Sequence, residues 1–268
     1  MPITEQPELS IIFVNYRSAS VLKRAILSLR SGDISSFKIE IIVVNNDSDE
    51  KTRVRKLSEE LGFRALFLAE NRGFAHAANT AATVATGKIV GFLNPDTEFV
   101  SGSFVRACRF FQSNPEVGIV GARLITKTGE PEAWSAGPTL SLFRLFRNNI
   151  GLSSGRWHSR SRCARAVGWV SGGALFIRLA LFRSLEGFDE AYFLYFEDMD
   201  LCMRARAVGL KTVTFPSLVF KHDGGTSFQS VAEKKKAYYD SQDRYFGIHR
   251  PSAELFLLRL IRSRMTNI

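Results

Sequence analysis

The sequence predicts an α/β protein in which a mostly parallel central sheet is flanked by helices. Two observations carry that prediction. Short runs rich in β-branched residues, "LSIIFV" (9–14), "IEIIVV" (39–44), "RALFL" (64–68) and "KIVGFL" (88–93), alternate with segments of helical period. Between the first two runs, Val21, Leu22, Ala25, Ile26 and Leu29 share one helical face while Lys23, Arg24 and Arg30 lie elsewhere, the pattern of a βαβ unit. At 268 residues and 45% hydrophobic, the chain has the material for one full core.

Beyond the fourth run the sequence predicts a helix at about 101–113, then "VGIVGARLI" as one or two strands, then a strand-like stretch "AVGWVSGGALFIR" over 166–178. Residues 126–165, rich in Gly, Pro, Ser and Arg, interrupt the rhythm and read as a mobile or acceptor-side insert. A helix opening at Glu197, a strand pair "KTVTFP" and "LVFKH", a charged helix at about 231–246 and a basic tail complete the chain. The expected organisation is one α/β unit over 1–230 and a helical, basic extension over 231–268, with no internal repeat.

Composition excludes several classes. The N-terminus "MPITEQPELS" is polar and no apolar run reaches about 18 residues, so neither a signal peptide nor a membrane span is expected. Cys108, Cys163 and Cys202 are far apart and lack metal-type spacing, which suits ordinary thiols in a reducing, cytoplasmic setting. A net charge of +10 favours polyanions, nucleotides or an anionic membrane surface. No nucleic-acid-binding module accompanies it, so no nucleic-acid partner is expected.

Polar residues close three of the predicted strands: Asn15 and Tyr16, then Asn45, Asn46, Asp47 and Ser48, then Asn94, Pro95 and Asp96. Any one cluster reads as turn and cap chemistry. Three in register at the carboxyl edge of one sheet read as a ligand site. No GxGxxG follows the first strand and no GxxxxGK[ST] occurs, which argues against a dehydrogenase or P-loop enzyme. A phosphorylated ligand here would have its charge met by a metal or by basic side chains. Asp96 is a candidate oxygen ligand for Mg²⁺ or Mn²⁺, and His222, also after a strand, a second candidate, although a lone histidine is commonly a packed or surface residue.

The stretch "FLYFEDMDLCMRARAVG" sets Glu197, Asp198 and Asp200 at a helix start. Carboxylates there gain from the helix dipole and cap free amides, a purely structural explanation for Glu197 and Asp200. Asp198 points away from that face, since helical neighbours align three or four residues apart, so one of these groups is available to accept a proton in a site while another caps the helix.

Together these segments resemble the family 2 inverting glycosyltransferases of GT-A fold, a Rossmann-like nucleotide-diphospho-sugar transferase architecture, and within them a rhamnosyltransferase-like branch. The matching pieces are "SIIFVNYRS", "IIVVNNDSDE", "ENRGFAHAANTAATVATGKIVGFLNPDTE", "VSGGALFIR" and "GFDEAYFLYFEDMDLCMRARAVG", followed by "HDGGTS", spanning roughly 9–230. The resemblance implies transfer of a sugar, with rhamnose leading, from a nucleoside diphosphate sugar to a hydroxyl of a glycan or lipid-linked acceptor in cell-surface polysaccharide synthesis. It implies that Asp96 holds the cation with Asn94 beside it, that His222 completes the metal site, and that Asp198 is the base with Glu197 orienting the acceptor. Asn15, Asn45 and Ser48 would line the nucleoside pocket, Asn71, Gly73, Phe74 and Asn79 the donor side, and Trp169, Gly172 and Gly173 the acceptor side. Two departures stand out: Asn45 where relatives more often have Asp, and Asn94 at the first position of the DxD-type motif. An amide at 45 matches the imide edge of uracil or thymine, so a uridine or thymidine diphosphate sugar is the expected donor.

Inversion by a single displacement needs one base, and a metal-neutralised diphosphate leaves without a protonating acid. A nucleotidyltransferase would call for a basic Gly-rich loop after strand one, which "VNYRSAS" matches poorly, and a non-catalytic glycan- or membrane-binding module would not need Asp96 and Asp198. "LSLFRLFRNNI", "GRWHSRSRCAR" and "AELFLLRLIRSR" are basic segments, the first and last of them cationic and amphipathic, suited to peripheral contact with the inner face of a membrane or to ordinary packing.

Overall fold

The computed structural model describes residues 7–33, 38–149, 163–222 and 230–265. Four strands, β1 (Leu9–Asn15), β2 (Ile39–Asn45), β3 (Arg64–Phe67) and β4 (Ile89–Leu93), form a parallel half-sheet in the order β3-β2-β1-β4. The order reverses direction at β1, and the crevice outside the carboxyl ends of β1 and β4 is where ligands of open α/β sheets bind. Beyond β4 the sheet is mixed: β10 (Ala174–Arg178) is antiparallel to β4 and to β6 (Val117–Ile125), β11 (Lys211–His222) runs parallel to β6, and β5 (Thr97–Ser101) and β8 (Arg165–Val167) pair antiparallel to β11. Strands β4, β6 and β11 therefore end on the same edge as β1 and β2.

Alternation along β1 explains the two layers. Leu9, Ile11 and Phe13 enter one core with α1 (Ala19–Leu29), α2 (Lys51–Leu61) and α4 (Phe104–Ser113), while Ile12 and Val14 enter the other. The second core is covered by α3 (Phe74–Val84), α6 (Leu179–Ser184) and α7 (Glu197–Ala207). Its Ala75, Ala77, Ala78, Ala81 and Ala82 give α3 a smooth face that lets helix and sheet approach closely. Phe92, Phe182 and Phe188 meet there at centroid separations of 4.9 to 5.2 Å.

Several details differ from the sequence expectation. The stretch 166–178 is broken by Gly168, where an added Cβ would sit 2.0 Å from the Thr139 amide nitrogen, and by Gly172–Gly173. It yields β8, β9 (Trp169–Val170), which pairs with β7 (Ala136–Gly137), and β10. "KTVTFP" and "LVFKH" are one strand, β11, with a register shift between Phe215 and Val219 in place of a turn. The insert holds β7 and a helix, α5 (Leu142–Asn149). The C-terminal segment forms α8 (Val231–His249) and α9 (Ser252–Met265), and Tyr245, Phe246 and Leu258 join the same core as α3 and α7. The expectations for "HDGGTS" beyond His222 and for "GRWHSRSRCAR" before Cys163 lie outside the described residues.

Candidate active site

The turn after β4 places Asp96 against the end of β11. Its Oδ1 lies 3.3 Å from His222 Nε2, and Asn94 Nδ2 lies 3.2 Å from the same nitrogen. The opposite ring nitrogen, Nδ1, is 2.8 Å from Glu132 Oε1. Burial alone would lower the His222 pKa, but hydrogen bonds to Asp96 and Glu132 outweigh it and raise it from 6.5 to about 10. Asp96 and His222 thus meet as the sequence suggested, and Glu132 joins them from a segment that gave no sign of it.

A carboxylate oxygen and an imidazole nitrogen side by side form a partial donor set for Mn²⁺ or Mg²⁺, cations that retain water and take phosphate oxygens. Among the described residues no group of three or more His, Cys, Asp and Glu side chains is arranged to hold a metal. The pair fits a cation whose shell the ligand completes.

Across the crevice α7 opens at Glu197 after two consecutive left-handed residues, Tyr195 (φ 70°) and Phe196 (φ 66°), which turn the aromatic run sharply into the helix. Asp198 is half-buried; its Oδ2 accepts from Gly172 N–H at 2.7 Å and its Oδ1 from Met199 N–H at 2.7 Å. Burial raises its pKa and those backbone bonds oppose the rise. Glu197 is 5% exposed, its Oε2 has no hydrogen-bond partner, and burial followed by the Asp198 charge pushes its pKa well up. Asp200 is structural: His249 Nε2 at 2.7 Å ties α7 to α8, Arg204 Nε at 2.7 Å pairs with it within α7, and their hydrogen bonds hold its pKa low against the effect of burial. Of the three carboxylates, Asp198 is bonded to the Gly172 turn, Asp200 to the packed helix α8, and Glu197, just before them in sequence, is buried without a partner for Oε2.

Gly172 and Gly173 link the two halves. Gly172 donates to Asp198, and Gly173 O accepts from Asn94 N–H at 3.2 Å, so one turn touches both the base candidate and the metal-side turn. Trp169 is 2% exposed and lies beneath Trp134 at 6.5 Å, so its ring is covered and the face toward solvent is that of Trp134.

At the carboxyl ends of β1 to β3 lies a cleft of about 210 Å³ whose lining includes Tyr16, Arg17, Asp47, Ser48, Glu70 and Asn71. Asn15 and Asn45 lie behind that lining. Asn45 is 1% exposed; its Oδ1 accepts from Asn15 Nδ2 at 2.9 Å, and its Nδ2 donates to Asp47 O. The amide given to the base by the sequence reading is thus spent within the protein, and Asn15 likewise donates to Glu50 Oε2 at 2.9 Å. Asp47, one of the polar cluster that closes β2, lines the cleft, with Arg17 Nε 4.0 Å from its Oδ2.

On the donor side, Asn71 Oδ1 accepts from Gly73 N–H at 2.9 Å and from Asn46 Nδ2 at 2.8 Å, shaping the turn into α3. Gly73 (φ 93°) is required there, since a Cβ would lie 2.4 Å from Phe193 O. Phe74 packs edge-on to Phe188 at 5.7 Å. Asn79 pins the loop before α7, accepting from Phe188 N–H at 2.9 Å and donating to Phe188 O at 2.8 Å. Asn79 and Phe74 act on the wall of the site from inside the fold.

A parallel half-sheet with a cleft at its carboxyl edge, joined to a mixed half carrying Asp96, His222 and Asp198, defines an α/β fold of the GT-A type. The chain belongs to glycosyl transferase family 2, whose family model matches residues 10–166, while a model described as glycosyl transferase family group 2 matches 89–265. It is 25% identical over 266 residues to an N-acetylglucosaminyl-diphospho-decaprenol L-rhamnosyltransferase of Mycobacterium tuberculosis, covering 89% of this chain and 85% of that one. It is also 25% identical to an uncharacterized protein of Sinorhizobium fredii, covering 91% of this chain but only 28% of that protein's length. Among solved structures, GalNAc-T7 with UDP, GalNAc and Mn²⁺ superposes with a TM-score of 0.67 at 13% identity, over 84% of this chain and 45% of that one. A mannosyltransferase of Pyrobaculum calidifontis with GDP-Man and Mn²⁺ gives 0.61 at 18% identity, over 91% and 64%. At those identities the likeness to the solved structures is one of fold.

Proposed function

We propose that this protein is an inverting transferase that moves a sugar, L-rhamnose in the leading reading, from a thymidine or uridine diphosphate sugar to a hydroxyl of a glycan or lipid-linked acceptor. The observation that carries the proposal is the Gly172–Gly173 turn, which donates to Asp198 from the Gly172 amide and accepts the Asn94 amide, two residues before Asp96, at the Gly173 carbonyl. The rhamnosyl group is inferred from the Mycobacterium relative's name, and the pyrimidine base is carried over from the amide at position 45, although that amide is engaged with Asn15 and the Asp47 carbonyl.

Asp96 and His222 would hold a Mg²⁺ or Mn²⁺ ion, whose contribution is to neutralise the diphosphate as it leaves. The rest is the work of the chain. Asp198, fixed by the amides of Gly172 and Met199, accepts the acceptor's hydroxyl proton while the acceptor oxygen bonds to the anomeric carbon. The bond from that carbon to the diphosphate breaks from the opposite face and its electron pair departs with the diphosphate. Glu197 is buried beside Asp198, and burial followed by the charge of Asp198 raises its pKa. The test is incubation with thymidine diphosphate rhamnose and uridine diphosphate sugars, Mn²⁺ or Mg²⁺, and a synthetic N-acetylglucosaminyl diphospho-lipid or methyl glycosides. Transfer with inverted anomeric configuration is expected; absence of transfer and of donor binding with every donor overturns the proposal.

Peripheral membrane contact is a second part of the proposal, and α5 and α9 support it. Leu145 and Leu258 face the core, and Leu142 N–H donates to Glu254 Oε2 at 2.8 Å, so the two helices lie together. Their outer faces carry Phe143 and Phe256, each 67% exposed, with Phe146, Leu257, Leu260 and Ile261 beside Arg144 and Arg259. No helix among the described residues is long and apolar enough to cross a membrane. Co-sedimentation with anionic vesicles at low salt is expected and should fall when Phe143 and Phe256 are both replaced by Ser; failure of the wild type to sediment makes the patch a protein interface.

A further inference from the structure

Trp134 stands at a place where backbone preference disfavours a tryptophan and one face of the indole is left to solvent. Its φ of 64° is left-handed, a region that β-branched and bulky residues avoid. Both sides of the turn are tied down: Ser135 Oγ donates to Glu132 O at 2.9 Å, Ser171 N–H donates to Ser135 O at 2.9 Å, and Ala136 pairs with Val170. The turn holds the indole outward, 40% exposed, against the buried indole of Trp169, with planes 26° apart. Two residues earlier Glu132 grips His222, and three residues beyond Trp169 the Gly172 amide grips Asp198. The exposed indole is thus mounted on the segment that joins the metal-side cluster to the base.

Its position in the sheet order decides what it meets. The nucleoside-sized cleft lies at β1 to β3, whereas β9 packs against β6, with Val170 directly over Gly121. In the sheet order β4, which leads to Asp96, lies between β1 and β10, and Asp198 is held by the Gly172 amide just beyond β9. With a diphosphate taken to lie at Asp96, the β9 flank is then the side on which an attacking group would meet Asp198. A flat aromatic face at that entrance matches the apolar C–H face of a pyranose ring, just as aromatic platforms elsewhere orient flat ligands without hydrogen bonds.

We propose that Trp134 is the platform on which the acceptor's sugar ring stacks, a specificity-determining residue that orients the attacking hydroxyl toward Asp198. The inference rests on the transferase reading of that site, and the experiment separates the two. Trp134→Ala, Trp134→Gly and Trp134→Phe are compared with wild type for donor affinity by calorimetry, for KM and kcat with the acceptor that wild type uses, and for thermal midpoint. The expected result is a rise of tenfold or more in acceptor KM for the Ala and Gly variants, with donor affinity within twofold and most of the loss restored by Phe. Trp134→Gly should unfold at the same or a higher temperature, because glycine relieves the positive φ. In the wild type, acceptor should also change tryptophan emission, and the change should vanish in Trp134→Phe. An acceptor KM within twofold of wild type in Trp134→Gly, or equal losses of donor and acceptor affinity, overturns the assignment. If wild type binds donor but transfers to no acceptor tried, the fluorescence titration with methyl glycosides decides, and a signal that does not depend on Trp134 overturns it. Loss of donor binding in the wild type instead contradicts the transferase reading.

Discussion

Replacing Asp198 by Asn separates chemistry from architecture, because the structure gives the carboxylate two duties. It accepts from Gly172 N–H through Oδ2 and from Met199 N–H through Oδ1. An amide has one acceptor oxygen, so one of those N–H groups would face an NH₂ group and lose its partner, at a cost of about 1–3 kcal/mol. Part of that is offset, since the carboxylate is itself disfavoured by burial, as its raised pKa records. The variant should therefore unfold a few degrees lower and still fold. Loss of the base should cost roughly 10²- to 10⁴-fold in transfer, equivalent to about 2.7–5.5 kcal/mol of barrier, and because the variant stays folded this loss is read on turnover and not on the melt. The assay is single-turnover transfer with saturating donor and acceptor, alongside calorimetric donor binding and a thermal melt. Turnover above a tenth of wild type with a normal melt would refute the role of Asp198.

The remaining predictions concern the same crevice. Because Asp198 acts deprotonated and its pKa is raised by burial, wild-type kcat/KM should fall as the pH drops through that raised value, earlier than for an ordinary aspartate; a profile flat down to the normal carboxylate range contradicts this. His222 has a raised folded-state pKa, so its contribution to stability is full below pH 6.5 and fades as the pH climbs through about 10. His222→Gln should flatten the wild-type loss of stability across that window, and a difference independent of pH refutes it. Gly73→Ala puts a Cβ 2.4 Å from a backbone oxygen at φ 93° and should cost more than about 1 kcal/mol with a matching loss of transfer; a melt equal to wild type speaks against the close approach. Asn45→Asp sets a buried carboxylate against Asp47 O and should destabilise by about 1–3 kcal/mol while leaving the nucleotide preference unchanged; a switched preference would show that residue 45 reads the base after all.

Strands β1 to β4 and helix α1 were legible because interior parallel strands and amphipathic helices write their burial into a local period. In the other half β6, β10 and both stretches of β11 were legible as strands, but their breaks and joins were not, because these are set by contacts between distant segments. Gly168 ends a strand through the backbone of Thr139, and β5 exists only because β11 returns beside it. The same contrast holds in the site. Asp96, His222 and Asp198 were visible as polar residues at strand ends and a helix start, where side chains must face the edge. Glu132 reaches His222 across 90 residues, and nothing near it in the sequence encodes that reach. Asn45 shows the limit of position alone: it stands at a strand end as predicted, while the bonds of its amide to Asn15 and the Asp47 carbonyl have no local signal.

The most direct test of the account is calorimetry of the free thymidine, uridine and guanosine diphosphates with wild type and Asp96→Ala, each with Mn²⁺ and with EDTA. The account predicts binding that requires Mn²⁺, is tighter for the pyrimidine forms, and is lost in Asp96→Ala while the variant remains folded. Affinity that is the same with EDTA as with Mn²⁺, or no binding of any nucleotide to the folded wild type at millimolar concentration, would contradict the donor site at Asp96.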